Sequence, residues 1–144
     1  MSQNIFRKAD NNDIYVADGY AVKMEYPLKE KALQYAGARF GKIYEKYLKD
    51  SGSKIYLSLI PDKNCFLAES SGHLSMDYDR LYQRMQEEMP YAEYIDITGL
   101  LNIEDYYKTD VHWRQEKIVD VADRIGTAMG ITPDGKYETK TLKN

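Results

Sequence analysis

The residues of this chain that are best suited to chemistry are Asp110 and His112, which stand next to Trp113, the only tryptophan. In an extended or turn-like loop, residues two positions apart lie on the same side, so the Asp110 carboxylate can accept a hydrogen bond from one imidazole nitrogen. The other nitrogen is then presented as a general base. This is the acid and base part of a Ser–His–Asp arrangement, which is recognised by roles and not by chain order.

Two other interpretations of these residues stay open. An aspartate before a helix is often an N-cap, and a histidine beside it is often only a first-turn residue. A metal site would combine Asp110 and His112 with His73 or Asp62. The chain has two histidines and a single cysteine, Cys65, and it lacks the ligand spacings of known zinc motifs. We therefore expect no metal and no cofactor.

The composition is that of one soluble domain. The chain has 144 residues, of which 43% are hydrophobic and 30% charged, and its net charge is −3. We expect no nucleic-acid partner, because phosphate binding favours a basic surface. No apolar run approaches the roughly 20 residues of a membrane span, and Met1–Asn4 does not begin a signal peptide. The chain is therefore either cytoplasmic or a piece of a longer protein whose export signal lies elsewhere.

Tyrosine is unusually frequent, at 14 residues. Most of these rings are expected to pack at the edge of the core, where the hydroxyl still reaches water. Stacking against a carbohydrate is the alternative role, since sugars pack on aromatic faces.

Turn signals and apolar periodicity predict the elements. Asp18-Gly19 predicts a hairpin that leads into the body of the domain, between the β-prone runs 14–16 and 20–24. Apolar residues at helical spacing predict three helices with one buried face each: 28–48 with Pro27 in the first turn, 76–89 capped by Ser75, and 114–129. Apolar runs predict buried strands at 54–60 and 93–98, with a loop at 61–64, an extended piece at 65–68 and a loop at 69–73.

This alternation of helices and strands predicts an α/β domain with a small parallel sheet. Functional groups gather beyond the carboxyl ends of such strands, so Lys63 and the Asp110/His112 loop should share one rim. Two parallel strands are few for a stable sheet, so either the N-terminal pieces join it or strands are missing and the domain is an incomplete copy of a larger fold. The predicted organisation is a polar arm at 1–13, the α/β domain at 14–131 and a polar tail at 132–144.

Several motifs together resemble one family. Asp110-Val111-His112-Trp113 follows Tyr106-Tyr107-Lys108-Thr109, and upstream stand Ile60-Pro61-Asp62-Lys63-Asn64, Asp18-Gly19-Tyr20 and Met76-Asp77-Tyr78-Asp79. This pattern, over residues 14–130, resembles the DHHW proteins of Firmicutes, which are related to the SGNH-hydrolase-like alginate O-acetyltransferases. Val111 departs from the pattern, because the family name has His there and the acetyltransferase relatives carry Thr.

The resemblance implies a three-layer, flavodoxin-like SGNH fold, an extracytoplasmic location and work on cell-envelope carbohydrate. It carries over Asp110 and His112 as catalytic residues. From their positions beside this pair, the side chains expected to support the site or bind substrate are Lys63, Tyr107, Lys108, Thr109 and Trp113. In the alginate-acetylating relatives the nucleophilic serine follows this pair, whereas here no serine follows His112.

Upstream, Ser58 lies within a predicted strand, where its hydroxyl should bond to the backbone, and Ser70 and Ser71 lie in no recognisable nucleophile turn. We predict that these 144 residues contain no catalytic serine. Three hypotheses follow: part of an SGNH-like esterase or O-acyltransferase that is inactive alone, a non-catalytic carbohydrate-binding module of the bacterial envelope, or a structural or interaction domain with a vestigial Asp/His pair. Oligomeric state is not predicted.

Overall fold

The computed structural model describes residues 13–131. The predicted tail at 132–144 and all but the last residue of the predicted arm lie outside the described residues. Within the described part, two small sheets and four α-helices follow one another, so the chain is α/β as predicted. No helix in this part is both long enough and apolar enough to cross a membrane.

The predicted N-terminal hairpin is confirmed. Strands β1 (Ile14–Ala17) and β2 (Tyr20–Lys23) pair antiparallel, with Ala17 opposite Tyr20. Both turn residues have positive φ, 49° at Asp18 and 79° at Gly19, which is the backbone twist that suits a two-residue hairpin. The hairpin is a sheet of its own, separate from the parallel pair.

The second sheet is parallel but much shorter than predicted. Strands β3 (Tyr56–Leu57) and β4 (Glu93–Tyr94) have two residues each instead of the predicted seven and six. Beyond them the Ser58 hydroxyl donates to the Ile95 carbonyl at 2.9 Å, so a side chain takes that acceptor. Asp96 then turns the chain by accepting from both the amide and the hydroxyl of Thr98. The ladder therefore ends early.

A helix that the sequence analysis missed follows β3. Helix α2 (Lys63–Ser71) occupies residues that were predicted as a loop, an extended piece and a second loop. Its N-cap is Asp62, whose carboxylate accepts from the Asn64 amide at 2.8 Å. Its C-cap is Gly72, at φ 71°, and the His73 amide reaches back to the Ala68 carbonyl. The extended and loop predictions for 63–71 were wrong because two caps outweighed a short apolar run.

The other helices are close to their predicted places, with shifted ends. Helix α1 (Glu30–Ile43) begins beyond Pro27 and continues into a π-helical turn, Tyr44–Leu48. Helix α3 (Tyr78–Glu88) is capped by Asp77 and not by Ser75, because the Asp77 carboxylate accepts from the Arg80 amide at 2.8 Å. The single helix predicted for 114–129 is instead a 3-10 turn followed by α4, because Ile118 leaves helical geometry. The remaining bounds are Thr98–Leu100, Ile103–Asp105 and Gln115–Lys117 for the 3-10 turns and Val119–Ala128 for α4.

The core consists of two clusters that share one ring. The first joins the hairpin to α2, and the second joins β4 and the following segment to α4. Phe66 of α2 packs against both. The buried members of the first cluster are Tyr15, Ala17, Val22 and Leu67, and those of the second are Ile95, Ile97, Leu101 and Val121.

Helix α1 packs against α3 at a point of close approach. A β-carbon added at Gly37 would lie 2.5 Å from Cβ of Glu88, whereas one added at Gly41 would meet nothing within 4 Å. Only the side of α1 that faces α3 is covered, so the apolar face predicted for this helix is buried only in part. Phe40, Ile43 and Tyr47 are exposed.

These two glycines give matched substitutions. Gly37→Ala should lower the free energy of unfolding by about 1–3 kcal/mol, because the new methyl group overpacks the contact with Glu88. Gly41→Ala should raise it by about 0.5–1 kcal/mol, because alanine replaces glycine within a helix without a clash. Urea unfolding measures both. Stabilisation by both substitutions would contradict the packing of α1 on α3.

Candidate functional site

The Asp110/His112 segment is a tight loop that is closed at its base. Tyr106 and Trp113 face each other across an isolated antiparallel bridge. The Tyr107 amide donates to the His112 carbonyl at 3.1 Å, and the Arg114 amide donates to the Asp105 carbonyl at 2.7 Å. Residues 107–112 therefore leave the body of the domain and return to it at one place. We call these six residues the acid–base loop.

Both ends of the acid–base loop are anchored in the core. Tyr106 is only 3% exposed, and its hydroxyl donates to the Pro61 carbonyl. Its ring lies 5.7 Å from that of Phe66. At the other end, Trp113 packs against the cluster that contains Ile97 and Val121. The loop itself can therefore be exposed while its base stays fixed.

Lys63 fills the inside of the loop. The residue is 4% exposed, and its Nζ donates to the carbonyls of Tyr107, Lys108 and Asp110 at 3.1, 3.2 and 2.9 Å. An ammonium group has three donors and no acceptor, so this arrangement satisfies all of them. We call it the ammonium cage. Burial lowers the pKa of Lys63, and the negative charge of Asp110 opposes that effect.

The hairpin supports the loop from a second side. The Ala21 amide of β2 donates to the Lys108 carbonyl at 2.7 Å, so this carbonyl accepts from both β2 and Lys63. The ammonium groups of Lys63 and Lys108 lie 6.0 and 5.8 Å from the centre of the Tyr20 ring, within the range of cation–π attraction. The structure thus places Lys63 against the Asp110 loop, on the side where β3 ends.

Asp110 and His112 are hydrogen-bonded to each other twice. Oδ1 of Asp110 lies 2.5 Å from Nδ1 of His112 and also accepts from the His112 amide at 2.8 Å. These contacts lower the pKa of the Asp110 carboxyl, the amide bond contributing most and the imidazole next, with a smaller contribution from the charge of Lys63. An ionised carboxylate only accepts, so Nδ1 carries the shared proton and Nε2 of a neutral His112 is left with its lone pair.

The pair opens onto a cleft of about 450 Å³. All the site residues predicted from the sequence line this cleft except Lys63, which lies beneath it. The side chains of His112 and Asp110 are 76% and 56% exposed, so the pair is hydrated. Gln115 was not predicted as a site residue; it belongs to the 3-10 turn after the loop. The lining consists of Tyr107, Lys108, Thr109, Asp110, His112, Trp113 and Gln115.

No serine lines the cleft in the part of the chain that the structure describes. Elsewhere among residues 13–131, the only hydrogen bond between a serine and a histidine side chain joins Oγ of Ser71 and Nδ1 of His73, at 3.0 Å. That hydroxyl donates to the Leu67 carbonyl at 2.5 Å, as helix-end serines do, so it cannot also give its proton to the imidazole. His73 stacks on Tyr15 with ring centres 3.7 Å apart. The Ser71–His73 hydrogen bond therefore belongs to the end of helix α2 and does not activate Ser71 as a nucleophile.

A metal site and a second cleft are the alternatives to the acid–base loop within residues 13–131. Among residues 13–131, no group of three or more His, Cys, Asp and Glu side chains is placed to hold a metal ion. A second cleft, of about 480 Å³, lies between α3 and β4 and is lined by Tyr82, Tyr94, Asp79, Asp96 and other polar residues. Its lining carries the carboxylates of Asp79, Glu87 and Asp96 but no histidine, lysine or cysteine, so it does not repeat the Asp–His arrangement of the acid–base loop.

Comparison of the chain with protein-family models, with curated proteins and with solved structures found no match.

The ammonium cage should control the order of the loop. Lys63→Met keeps most of the buried side-chain volume but leaves the Tyr107 and Asp110 carbonyls without a donor, while the Lys108 carbonyl keeps the Ala21 amide. It should therefore lower the free energy of unfolding by about 1–3 kcal/mol. It should also speed hydrogen exchange of the Tyr107 amide. Lys108→Met is the matched control, because Lys108 is an exposed lysine of the same loop. Equal effects of the two substitutions would argue against the cage.

The acidity of Asp110 should depend on His112. In a carboxyl ¹³C NMR titration, Asp110 should show a pKa below the ordinary value for aspartate, about 3.9. His112→Ala should raise that pKa only in part, because the amide bond at position 112 remains. Because the pKa of Asp110 is lower in the folded state than in the unfolded state, ionised Asp110 stabilises the fold at neutral pH. This stabilisation is lost as pH falls through the folded-state pKa. An unchanged pKa in His112→Ala would show that the imidazole contact does not persist in solution.

Proposed function

We propose that the acid–base loop is the Asp–His half of an acyl-transfer or ester-hydrolysis site that acts on cell-envelope carbohydrate, and that the chain is inactive alone. The observation that carries the proposal is the hydrogen bond from Nδ1 of His112 to Asp110, with Nε2 presented to a cleft. The motif resemblance supplies the class of reaction and of substrate. The catalytic pair is Asp110 and His112.

Each neighbour has a part in this proposal. Asp110 fixes the imidazole and stabilises its protonated form, while Nε2 of His112 takes a proton from an attacking hydroxyl and returns it to the leaving group. Lys63 is a positioning residue, since it touches the loop backbone and not the cleft. Tyr107, Trp113 and Lys108 offer aromatic surface and a positive charge to a sugar or an acyl group. Thr109 supplies the only aliphatic hydroxyl in the lining.

The proposal requires a nucleophile from elsewhere. The Thr109 hydroxyl makes no hydrogen bond to His112 among the described residues, so nothing activates it. The Asp–His pair is also exposed to water, whereas acid–base groups are most effective when water is excluded. The site therefore also requires a cover. A serine on another segment or another chain, docked over the cleft, would supply both the nucleophile and the cover.

We also propose that the fold is an incomplete copy of a three-layer SGNH-like domain. A three-layer SGNH-like domain places its acid–base loop beyond the carboxyl ends of parallel strands. Here Lys63 stands soon after β3 and binds the loop, and β3 pairs parallel with β4. These features agree with an incomplete copy of such a fold in an extracytoplasmic protein.

A second function has its own support. A non-catalytic carbohydrate-binding or structural domain of the bacterial envelope would need no nucleophile, and it would tolerate a hydrated Asp–His pair. Here Trp113 and Tyr107 would contact the sugar.

One titration separates the two functions. Trp113 is the only tryptophan and lines the cleft, so its fluorescence reports binding there. We expect O-acetylated bacterial oligosaccharides to change this emission, and the same sugars after de-acetylation to bind at least tenfold more weakly. His112→Ala should remove that preference, because the imidazole contacts the acyl group. His73→Ala should keep it.

Equal binding of both sugars that is insensitive to His112→Ala would favour the non-catalytic binding function. No response to either sugar would reject both carbohydrate functions and would leave the structural domain. In a parallel assay the chain alone should hydrolyse p-nitrophenyl acetate no faster than His112→Ala does. Turnover that depends on His112 would contradict the claim of inactivity.

A further inference from the structure

Helix α1 presents a large apolar surface to solvent. Four large side chains of the helix and its π-helical turn are between 47% and 63% exposed: Tyr35, Phe40, Ile43 and Tyr47. A helix that packs in a domain normally turns such residues inward. The packed side holds Gly37, which approaches Glu88, and Tyr44 of the π-helical turn, which stacks on Tyr91 with ring centres 4.1 Å apart. Phe40 stands at the border of that side, and Tyr35, Ile43 and Tyr47 lie farther from it. We call the exposed side the α1 outer face.

The α1 outer face is also basic. Lys31, Arg39, Lys42 and Lys46 are all exposed, and none of them forms an ion pair with a carboxylate of residues 13–131. Two of them lie against the exposed tyrosines. Arg39 donates to the Tyr35 hydroxyl at 2.7 Å, and Nζ of Lys46 lies 5.0 Å from the centre of the Tyr47 ring.

The acidic residues of the same segment are engaged elsewhere. Glu30 pairs with Arg80 and Arg84 of α3, at 3.0 and 3.3 Å, and so belongs to the packed side. Glu45 pairs with Lys49 at 2.9 Å. The outer face therefore carries four positive charges. The whole chain has a net charge of −3 with these four included, so the remainder carries −7. This asymmetry would turn the α1 outer face toward a negatively charged surface.

We propose that the α1 outer face docks onto the surface of an anionic lipid bilayer. Basic side chains beside exposed apolar and aromatic ones are what an interfacial helix requires, because the cations meet the headgroups while the apolar groups enter the acyl boundary. Tyrosine suits this layer, since its ring is apolar and its hydroxyl is polar. The helix lies along the surface and does not cross the membrane. This inference is independent of the function proposed for the acid–base loop.

Other occupants fit the same surface less well. A soluble anionic polymer would use the four cations but would leave Phe40 and Ile43 in water. A second copy of this chain would bring the same four positive charges against the first if the two faces met symmetrically. The segments outside the described residues, 1–12 and 132–144, contain five basic and three acidic residues, so they do not complement a basic face either.

The test is co-sedimentation of the full chain with lipid vesicles. The protein should pellet with vesicles that contain phosphatidylglycerol and stay in solution with phosphatidylcholine alone. Binding should weaken as salt is added, because exposed charges are screened. Each basic residue near an anionic surface contributes a factor of about five to the affinity, so Lys42→Gln with Lys46→Gln should weaken binding about 25-fold.

Matched variants separate charge from apolar insertion. Lys117→Gln removes one exposed positive charge from another surface and should change binding less than twofold. Ile43→Ser with Tyr47→Ser leaves the charge unchanged and should weaken vesicle binding at least fivefold, because these groups would no longer enter the bilayer. Circular dichroism of each variant should match that of the unmodified chain, since all the substituted side chains are exposed.

Three results would overturn the proposal. The first is the absence of pelleting with phosphatidylglycerol vesicles at low salt. The second is binding to soluble polyphosphate as tight as to vesicles and unchanged by Ile43→Ser with Tyr47→Ser, which would assign the face to an anionic polymer. The third is a dimer in solution that the same two substitutions dissociate, which would assign the face to a second copy of the chain.

Discussion

The order of the acid–base loop depends on the hydrogen bonds that the ammonium group of Lys63 donates to the loop carbonyls. Loop residues 107–112 would otherwise direct several carbonyls toward each other around a polar hollow, and carbonyl dipoles that converge repel one another. A cation at their centre turns that repulsion into attraction, and three donors match three acceptors. The same charge helps to keep Asp110 ionised. Lys63 therefore fixes the shape of the loop and adds a smaller contribution, after the amide and the imidazole of His112, to the lowered pKa of Asp110.

Lys63 can do this because its two neighbours fix the helix on which it stands. Asp62 caps α2 and also accepts from the Tyr78 hydroxyl of α3 at 2.6 Å, although burial raises the pKa of its carboxyl. Asn64 is fully buried, and its amide oxygen accepts from the Tyr15 hydroxyl of the hairpin at 3.0 Å. Three consecutive residues thus tie α2 to α3, to the acid–base loop and to the hairpin. A single helical turn sends polar side chains in three directions, so none of these contacts crowds another.

The sequence was sufficient to predict those features that depend on neighbouring residues alone. Asp18-Gly19 demanded a turn with positive φ, and the two-residue spacing of Asp110 and His112 allowed the hydrogen bond that forms. It was insufficient where tertiary contacts decided. Lys63 reads as a loop residue until Asp62 and Gly72 are recognised as the two caps of a short helix. The lengths of β3 and β4 depend on Ser58 and Asp96, which take backbone partners that a pattern of apolar residues does not reveal. The exposure of Ile43 likewise depends on which elements are present to cover α1.

The division of the core into two clusters has a dynamic consequence for the acid–base loop. The loop reaches the first cluster through the contact of Lys108 with the hairpin, and the second through Trp113, while Phe66 is the ring that belongs to both. The loop therefore spans a seam between two packed units. Separation of those units would be opposed by Phe66 and by the bonds of Lys63 to the loop, and it would strain the loop directly. A ligand that binds across the cleft would act as a brace on that seam, so binding and rigidity of the whole domain would rise together.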